Sequence, residues 1–297
     1  MDRIIFGDNQ FFGINHMSEE KAAIQAERFR DVGAIIRTLD IARDCGINAL
    51  MLNTHTKVAE ICDHFRKHSA SYGDLRLYPS FPYAHKYADL VNEMGIVGAI
   101  REAVFSGQST LQAFGTIARG GLGVFTRDMV TVMKLLVDAE LRMFRELNVQ
   151  AFFLQNIVTD LLLGMHATDV FVEFANYIKE KYKVCPAFNT MNMPRLVDLL
   201  LECGVHDPIV CSSINPIGYM MSPDKASYEE AIRSKPFRPL AMSIMASGAV
   251  APKEAIDYVV GLGKVQSIVF GASSPGHIAE TKRLIDEAFD RREQEAA

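Results

Sequence analysis

The chain has 297 residues, 49% hydrophobic and 23% charged, which is typical of a globular protein and excludes disordered, collagen-like and coiled-coil architectures. Its length fits one α/β barrel or two medium-sized domains. The net charge is −5 and no long basic run offsets it, so we expect no nucleic-acid partner. No stretch reaches the run of about 20 apolar residues that spans a bilayer, so we expect no membrane partner.

The cysteines and the N-terminal residues both favour a cytoplasmic location. The five cysteines are odd in number, contain no C-x-x-C and sit in apolar surroundings, as is typical of reduced thiols. The first residues, Met-Asp-Arg-Ile-Ile-Phe-Gly, place an acid where a signal peptide is basic and lead directly into a strand pattern.

Short apolar runs that end in polar residues alternate along the chain with longer stretches of helical period. Such runs are typical of strands that are buried on both faces. The eight predicted strands are Ile4–Asp8, Ile47–Asn53, Leu75–Phe81, Val149–Asn156, Val184–Asn189, Pro208–Ser213, Arg238–Ser243 and Gln266–Gly271. Eight strands, each followed by a helix, predict a single (β/α)8 TIM barrel over residues 1–297.

A doubly wound parallel sheet is the alternative architecture. It would need a glycine-rich turn with the spacing G-x-G-x-x-G after the first strand. The segment Gly7-Asp-Asn-Gln-Phe-Phe-Gly13 does not have that spacing, so we favour the barrel.

The clearest helix pattern covers Arg127–Leu147, with Thr126 placed to cap it. Its apolar stripe consists of Val130, Met133, Val137, Leu141, Phe144 and Leu147. Upstream, residues 82–125 form a long insertion between strands three and four. This insertion has two interpretations, a lid over the barrel mouth or a long surface connection. Residues 286–297 are predicted to be a charged helix tail.

In (β/α)8 barrels the ligand binds at the C-terminal ends of the strands, and this sequence places mainly amides and hydroxyls there. Such a mouth suits a neutral or phosphorylated small molecule, although some of these side chains could instead cap helices. The predicted substrate-binding residues are Asn53, Asn156, Asn189, Ser213 and Asn215. Asp8 is the only acid at the mouth and no H-x-H or H-E-x-x-H motif occurs, so we predict no metal.

The end of the eighth strand predicts an anion site. The segment from Ile268 to His277 runs from strand through a tight turn into a helix, with Ser274 as cap and Pro275 as first helical residue. Free backbone N–H groups and the positive end of the helix dipole favour phosphate at such a position. An ordinary capped helix is the alternative. The predicted cofactor-binding residues are Ser243, Gly271, Ser273, Ser274, Gly276 and His277.

Four residues near strand ends could transfer protons. His55 and His85 are the leading candidates, because the imidazole pKa lies near neutral pH. Tyr83 could donate a proton, and Asp8 could orient a histidine. The alternative is that these histidines are ordinary surface or hydrogen-bonding residues.

Several segments, in collinear order along the chain, resemble the aldo-keto reductases. The resemblance implies a (β/α)8 barrel, a reductase ancestry and NADP as the cofactor. The most specific segment is Gly271-Ala-Ser-Ser-Pro-Gly-His-Ile-Ala-Glu-Thr281, which is similar to the family's G-A-S-S-P-E-H-L-E-E-N. The others are Ser243-Ile-Met-Ala-Ser-Gly-Ala-Val250 for S-P-L-A-x-G-x-L, Gly46-Ile-Asn48 for G-[IV]-N, and Ile5-Phe-Gly with Phe12-Gly13 for L-G-x-G-T-x-x-F-G.

The family's catalytic Asp, Tyr, Lys and His are not matched. Asn53-Thr54 stands in place of the Asp-Thr pair, and Val58 stands where the Tyr belongs. Strand three ends without Lys, and strand four ends Leu154-Gln-Asn156 without His. His277 and Thr281 replace the Arg and Asn that hold the adenosine end. We therefore expect the family's fold without its carbonyl-reduction machinery.

Three functions remain open on the sequence. The first is an enzyme that binds a nucleotide or a phosphorylated compound and departs from the family's chemistry. The second is a nicotinamide-free lyase or isomerase that uses His55 and His85. The third is a non-catalytic ligand-binding barrel, which the scarcity of charge at the mouth favours.

Overall fold

The computed structural model of the chain describes residues 1–13, 19–83 and 122–296. In this part of the chain, short parallel strands form one continuous sheet. The strands are β1 (Ile4–Phe6), β2 (Ala49–Leu50), β3 in two segments (Arg76–Leu77 and Ser80–Phe81), β4 (Ala151–Leu154), β5 (Cys185–Thr190), β6 (Ile209–Ser213), β7 (Arg238–Met242) and β8 (Ser267–Phe270).

The sheet closes on itself and forms the predicted (β/α)8 barrel. β1 pairs with both β2 and β8, so that Phe6 lies opposite Leu50 on one side and Phe270 on the other. The first segment of β3 pairs with β2 and the second pairs with β4. The break falls at Pro79, which has no N–H to donate, while its carbonyl still accepts a hydrogen bond of 2.8 Å from the N–H of Phe153.

Helices follow the strands and cover the outside of the barrel. They are α1 (Glu19–Arg28), α2 (Val32–Asp44), α3 (Thr56–Lys67), α4 (Ser69–Tyr72), α5 (Leu122–Leu141), α6 (Asn156–Gly164), α7 (Thr168–Tyr177), α8 (Met193–Glu202), α9 (Lys225–Ser234), α10 (Pro252–Gly261) and α11 (Pro275–Ala296). Short 3-10 turns cover Asn9–Phe12, Arg142–Phe144 and Ala246–Gly248, and a π-helical turn covers Ile178–Tyr182. Within the described ranges, no helix combines the length and the apolar character needed to cross a membrane.

The strands are apolar on both faces because each face packs against a separate core. On β1, Ile5 packs in a cluster inside the barrel together with Tyr78 and Phe153. Its neighbours Ile4 and Phe6 pack in the larger cluster between strands and helices. Since side chains alternate along a strand, burial on both faces requires a continuous apolar run. For this reason the eight strands can be recognised in the sequence as apolar runs.

The predicted boundary of the helix before β4 is wrong. The helix α5 begins at Leu122, so Thr126 lies inside it rather than at its cap, and α5 ends at Leu141. A 3-10 turn, Arg142–Phe144, then carries the same apolar stripe onwards, which is why the pattern reads as one longer helix. The insertion is largely outside the described residues, which omit 84–121, so its interpretation as a lid or a surface connection is unchanged.

Candidate functional site

The predicted site residues lie at the C-terminal ends of the strands, at one mouth of the barrel. All strands run parallel, so their C-terminal ends meet on the same face. Asn189 is the residue before the end of β5, Ser213 ends β6, and Asn156 begins α6 just beyond β4. Asn53 follows β2 and forms an isolated parallel bridge with Ser80 of β3. The sequence therefore predicted the location of these residues correctly.

Asp8 and Asn53 form a buried polar contact at the mouth. Asp8 follows β1 and is only 3% exposed. One carboxylate oxygen, Oδ2, accepts a hydrogen bond of 2.5 Å from the backbone N–H of Asn53, and Oδ1 accepts one of 2.8 Å from Asn53 Nδ2. Burial raises the pKa of Asp8 to about 7, although the hydrogen bonds from Asn53 lower it. The carboxyl group can therefore gain or lose a proton near neutral pH.

A third side chain, Gln155, continues this contact across the mouth. Its Nε2 donates a hydrogen bond of 3.1 Å to Oδ1 of Asn53. Gln155 lies at the end of β4, and β3 separates β4 from β2. The sequence indicated Gln155 as a strand-end residue without giving it a role. A lone buried acid needs hydrogen-bond donors around it, and that requirement is the signal that could have identified Gln155.

Asn189 and Ser80 form a second polar pair, beside the first. Asn189 Nδ2 donates a hydrogen bond of 2.8 Å to Ser80 Oγ. Asn189 is 5% exposed, and its Oδ1 is buried and accepts no hydrogen bond from the described residues. A buried acceptor without a donor costs free energy, so this oxygen is a point at which a ligand N–H would be stabilised.

His55, Phe12 and Tyr83 form an aromatic wall next to Asp8. The His55 ring stacks on Phe12 with 4.2 Å between centroids and meets the Tyr83 ring at 5.2 Å. His55 also caps α3, because its Nδ1 accepts a hydrogen bond of 3.1 Å from the backbone N–H of Lys57. In the neutral ring Nε2 then carries the proton.

Tyr83 stays protonated near neutral pH. Its backbone N–H donates to Thr54 Oγ1 at 3.1 Å, which fixes the start of the segment that follows β3. Burial raises the pKa of Tyr83, and the negative charge of Asp8 raises it further. Tyr83 and Asp8 are therefore electrostatically coupled. His85, the other predicted acid–base residue, lies outside the described residues.

The side-chain amide of Asn215 forms hydrogen bonds with the protein's own backbone. Its Nδ2 donates to the carbonyl of Tyr219 and its Oδ1 accepts from the Tyr219 N–H, both at 2.8 Å. Asn215 is fully buried and holds the loop after β6 in shape. Ser213 is also fully buried, and its Oγ lies 4.0 Å from Sδ of Met191. Substrate contact at these two residues remains a prediction.

On the β7–β8 side of the mouth, the serine and glycine residues are exposed or partly buried. Ser243 and Ser247 have φ of 52° and 57°, in the left-handed region. The helix α11 begins at Pro275, and Ser274 Oγ accepts a hydrogen bond of 3.4 Å from the N–H of His277, which is the capping role predicted for it. Gly276 and His277 are exposed, and Ser273 is partly buried.

Gln10 approaches Gly271 closely. A Cβ at position 271 would lie 2.0 Å from Gln10 Oε1, whereas a Cβ at Gly276 would meet no atom within 4 Å. The Gln10 side chain is buried, and its Nε2 donates to the carbonyl of Gly7 at 2.8 Å. Gln10 thus joins the turn after β1 to the end of β8, a contact that the sequence did not predict.

Solved structures similar to this chain are aldo-keto reductases. A protein from Pseudomonas aeruginosa assigned to that family is 14% identical, with a TM-score of 0.58 over 97% of this chain and 90% of its own. An aldo-keto reductase from Brucella melitensis is 11% identical, with a TM-score of 0.51 over 98% of this chain and 94% of its own. A third, solved with NADPH, is 10% identical, with a TM-score of 0.54 over 99% of this chain and 84% of its own. The fold is that of the aldo-keto reductases.

The resemblance seen in the sequence is thereby confirmed for the fold. No protein-family model and no curated protein sequence matches the chain. Val58, which stands where the family's Tyr belongs, is fully buried in the outer core. In the part of the chain that the structure describes, no group of three or more His, Cys, Asp or Glu side chains is arranged to hold a metal ion.

Proposed function

We propose that this chain is an oxidoreductase-type enzyme that acts on a small neutral or phosphorylated molecule at the barrel mouth, with NADP as its cofactor. The observation that carries the proposal is the buried Asp8, held by Asn53 and titrating near neutral pH, at the mouth of an aldo-keto-reductase-like barrel. A buried acid with a pKa near the working pH is suited to proton transfer.

The residues at the mouth fit a nicotinamide nucleotide at two places. Oδ1 of Asn189, which accepts no hydrogen bond from the described residues, would accept an N–H of the nicotinamide amide. The start of α11 would hold a phosphate through backbone N–H groups near Ser273, Ser274 and Gly276. Open space at Gly276 leaves room there, and Ser243, Gly271 and His277 border the same end of the barrel. The bound cofactor would supply hydride chemistry.

The chain's own residues would bind the substrate and handle the proton. Asn53 holds both carboxylate oxygens of Asp8, so the acid keeps one orientation as it gains or loses its proton. Tyr83, protonated near neutral pH, and the Nε2–H of neutral His55 are donors suited to a substrate oxygen. Asn156 and Ser213 would contact the rest of the substrate.

NADPH and NADH, added separately to the full chain, test this proposal. We expect NADPH to raise the melting temperature and to change the nicotinamide fluorescence. Asn189→Ala should weaken that binding, whereas Asn148→Ala, at an exposed residue just before β4 at the opposite end of the barrel, should leave it unchanged. If neither nucleotide binds the folded wild type, the oxidoreductase proposal is wrong.

The second candidate is a nicotinamide-free lyase or isomerase that uses His55 and His85. It is favoured by the residue at position 58, since a buried Val58 stands where the family's Tyr would protonate a carbonyl oxygen. For the same reason we expect reduction of generic aldehydes by NADPH to stay near background. Robust turnover would mean that strands two and three of this chain are aligned wrongly with those of the family.

A further inference from the structure

Asp8 is a buried acid that has no cationic partner among the described residues. Its side chain is 3% exposed, and both carboxylate oxygens accept hydrogen bonds from one uncharged residue, Asn53. Burial and hydrogen bonds are the influences on its pKa, and no neighbouring charge is among them. A buried negative charge without an opposite charge costs free energy, so a cation that comes near Asp8 is stabilised.

Asp8 shares the barrel mouth with the proposed nicotinamide site. Asn53, which binds Asp8, forms a parallel bridge with Ser80, and Ser80 Oγ accepts a hydrogen bond of 2.8 Å from Asn189 Nδ2. Oδ1 of the same Asn189 amide is the atom proposed to hold the nicotinamide amide. A nicotinamide ring held there would share this mouth with Asp8, where charges interact more strongly than in water.

The two oxidation states of the nucleotide differ in the charge of this ring, which is positive in NADP⁺ and neutral in NADPH. Resting on the proposed function, we propose that the charge of Asp8 is coupled to the oxidation state of the nucleotide. The ionised carboxylate stabilises bound NADP⁺, and the neutral acid is the form that accompanies NADPH. Because a coupling between two sites is reciprocal, bound NADP⁺ in turn favours the ionised form of Asp8.

This coupling provides Asp8 in the form that each direction of the proposed reaction requires. When an alcohol is oxidised, the hydrogen on its carbon leaves with the electron pair as hydride to NADP⁺, and the hydroxyl proton goes to the ionised Asp8. When a carbonyl is reduced, its carbon receives hydride from NADPH and its oxygen receives the proton of neutral Asp8. Asp8 is thus a base for the alcohol and an acid for the carbonyl.

Other titratable side chains lie on the elements beside Asp8. Tyr83, after β3, has a pKa raised by burial and by the charge of Asp8, so it is neutral near pH 7. His55 packs on Tyr83 from the start of α3, and Nζ of Lys57, in the same helix, donates 3.1 Å to a backbone carbonyl. The turn Asn9–Phe12 carries no charge. A cation at the mouth would also displace a proton from His55, so the experiment must distinguish the two residues.

Calorimetric titration of the full chain with NADP⁺ and with NADPH tests the coupling. Burial raises the pKa of Asp8 to about 7, so we expect the affinity ratio to shift towards NADP⁺ by on the order of tenfold between about pH 5 and pH 8. The nucleotide phosphates titrate in both forms and cancel in this ratio. In Asp8→Asn the ratio should lose most of its pH dependence. Asp44→Asn, at an exposed residue that ends α2 at the opposite end of the barrel, should behave like wild type.

Proton release distinguishes Asp8 from His55. Titrations near neutral pH in buffers of different ionisation enthalpy should show that NADP⁺ binding releases protons and NADPH binding does not. Asp8→Asn should lose most of this release, whereas His55→Gln should keep it. If wild type binds both nucleotides with a ratio independent of pH and without proton release, the coupling is wrong and the proposed function stands. If neither nucleotide binds, the proposed function is wrong, and the coupling with it. The wild-type measurements decide even if Asp8→Asn does not fold.

Discussion

The two halves of the barrel mouth are built in different ways. From β1 to β5, the polar groups are side chains that are buried or half-buried and bonded to one another, as in Asp8, Asn53 and Asn189. From β7 to β8, the polar groups are backbone N–H groups and partly buried hydroxyls around a helix start, as at Ser274 and Gly276.

Because of this difference, we expect the two halves of the mouth to respond to different changes. A buried polar side chain without its partner loses its hydrogen bond and pays the full cost of desolvation. An exposed backbone site keeps most of its donors when a side chain is removed, because its geometry comes from the helix. We therefore expect the first half to respond to pH and to subtle substitutions, and the second half to respond mainly to added charge.

Asp8→Asn should show the largest effect, as a pH dependence of stability. Because the folded-state pKa of Asp8 is raised, from 3.8 to about 7, the folded chain holds this proton where the unfolded chain has lost it. The contribution of Asp8 is thus fully present below about pH 4 and is lost as pH rises towards 7. The expected loss is on the order of a few kcal/mol, and Asp8→Asn should not show it.

Urea unfolding of wild type and Asp8→Asn at about pH 5 and about pH 8 measures this contribution. The free energy of unfolding of the variant, relative to wild type, should be higher at the upper pH. A difference that is the same at both pH values would mean that Asp8 is ionised throughout, and would contradict the raised pKa.

Gly271→Ala should show the next largest effect. The new methyl group would displace the Gln10 amide, which is buried and bonded to Gly7, at a cost of roughly 1–3 kcal/mol in unfolding free energy. Gly276→Ala is the matched control, since its Cβ meets nothing within 4 Å. Equal stabilities of the two variants would show that Gln10 moves aside freely.

Gly276→Asp tests the exposed half of the mouth by charge. A carboxylate in the first turn of α11 would repel a phosphate bound there, and we expect a loss of affinity of about 1 kcal/mol or somewhat more, roughly tenfold. Calorimetry with phosphate or NADPH measures it, with Gly276→Ala as the uncharged control. Unchanged affinity in a folded variant would leave the start of α11 as an ordinary capped helix.

The barrel was predictable because its strands are simple in sequence. Each strand is buried on both faces and therefore appears in the sequence as a continuous apolar run. The run around Ile5 can be recognised without knowing which strands lie beside it. The start of α5 was not predictable, because threonine has a strong capping preference at Thr126, whereas the helix begins earlier, at Leu122. Capping preference is a local signal, and longer apolar patterns override it.

The positions of the candidate residues at the strand ends were predictable one by one, but the contacts between them were not. Asp8 and Asn53 were both expected at the mouth, yet their bond depends on the register that sets Phe6 opposite Leu50. The approach of Gln10 to Gly271 joins residues far apart in the chain. The two hydrogen bonds of Asn215 to Tyr219 were not predictable either, since an Asn near a strand end can bind its own loop as readily as a ligand.

Ser274→Ala should have the smallest effect. The Ser274 hydroxyl accepts one hydrogen bond, at 3.4 Å from the exposed His277 N–H, which is long for such a bond. Its removal should cost about 0.5–1 kcal/mol of stability, at the low end for a helix cap. Phosphate affinity should fall by at most about 1 kcal/mol, because the backbone donors remain.

Ser273→Ala is the matched variant, since it removes a neighbouring hydroxyl that does not cap the helix. Melting temperature should distinguish the two variants, with only Ser274→Ala lowered, while calorimetry should give similar small losses of phosphate affinity for both. A loss of a hundredfold or more in either variant would mean that one hydroxyl, and not the backbone, holds the anion. The exposed half of the mouth would then depend on single side chains in the same way as the half that contains Asp8.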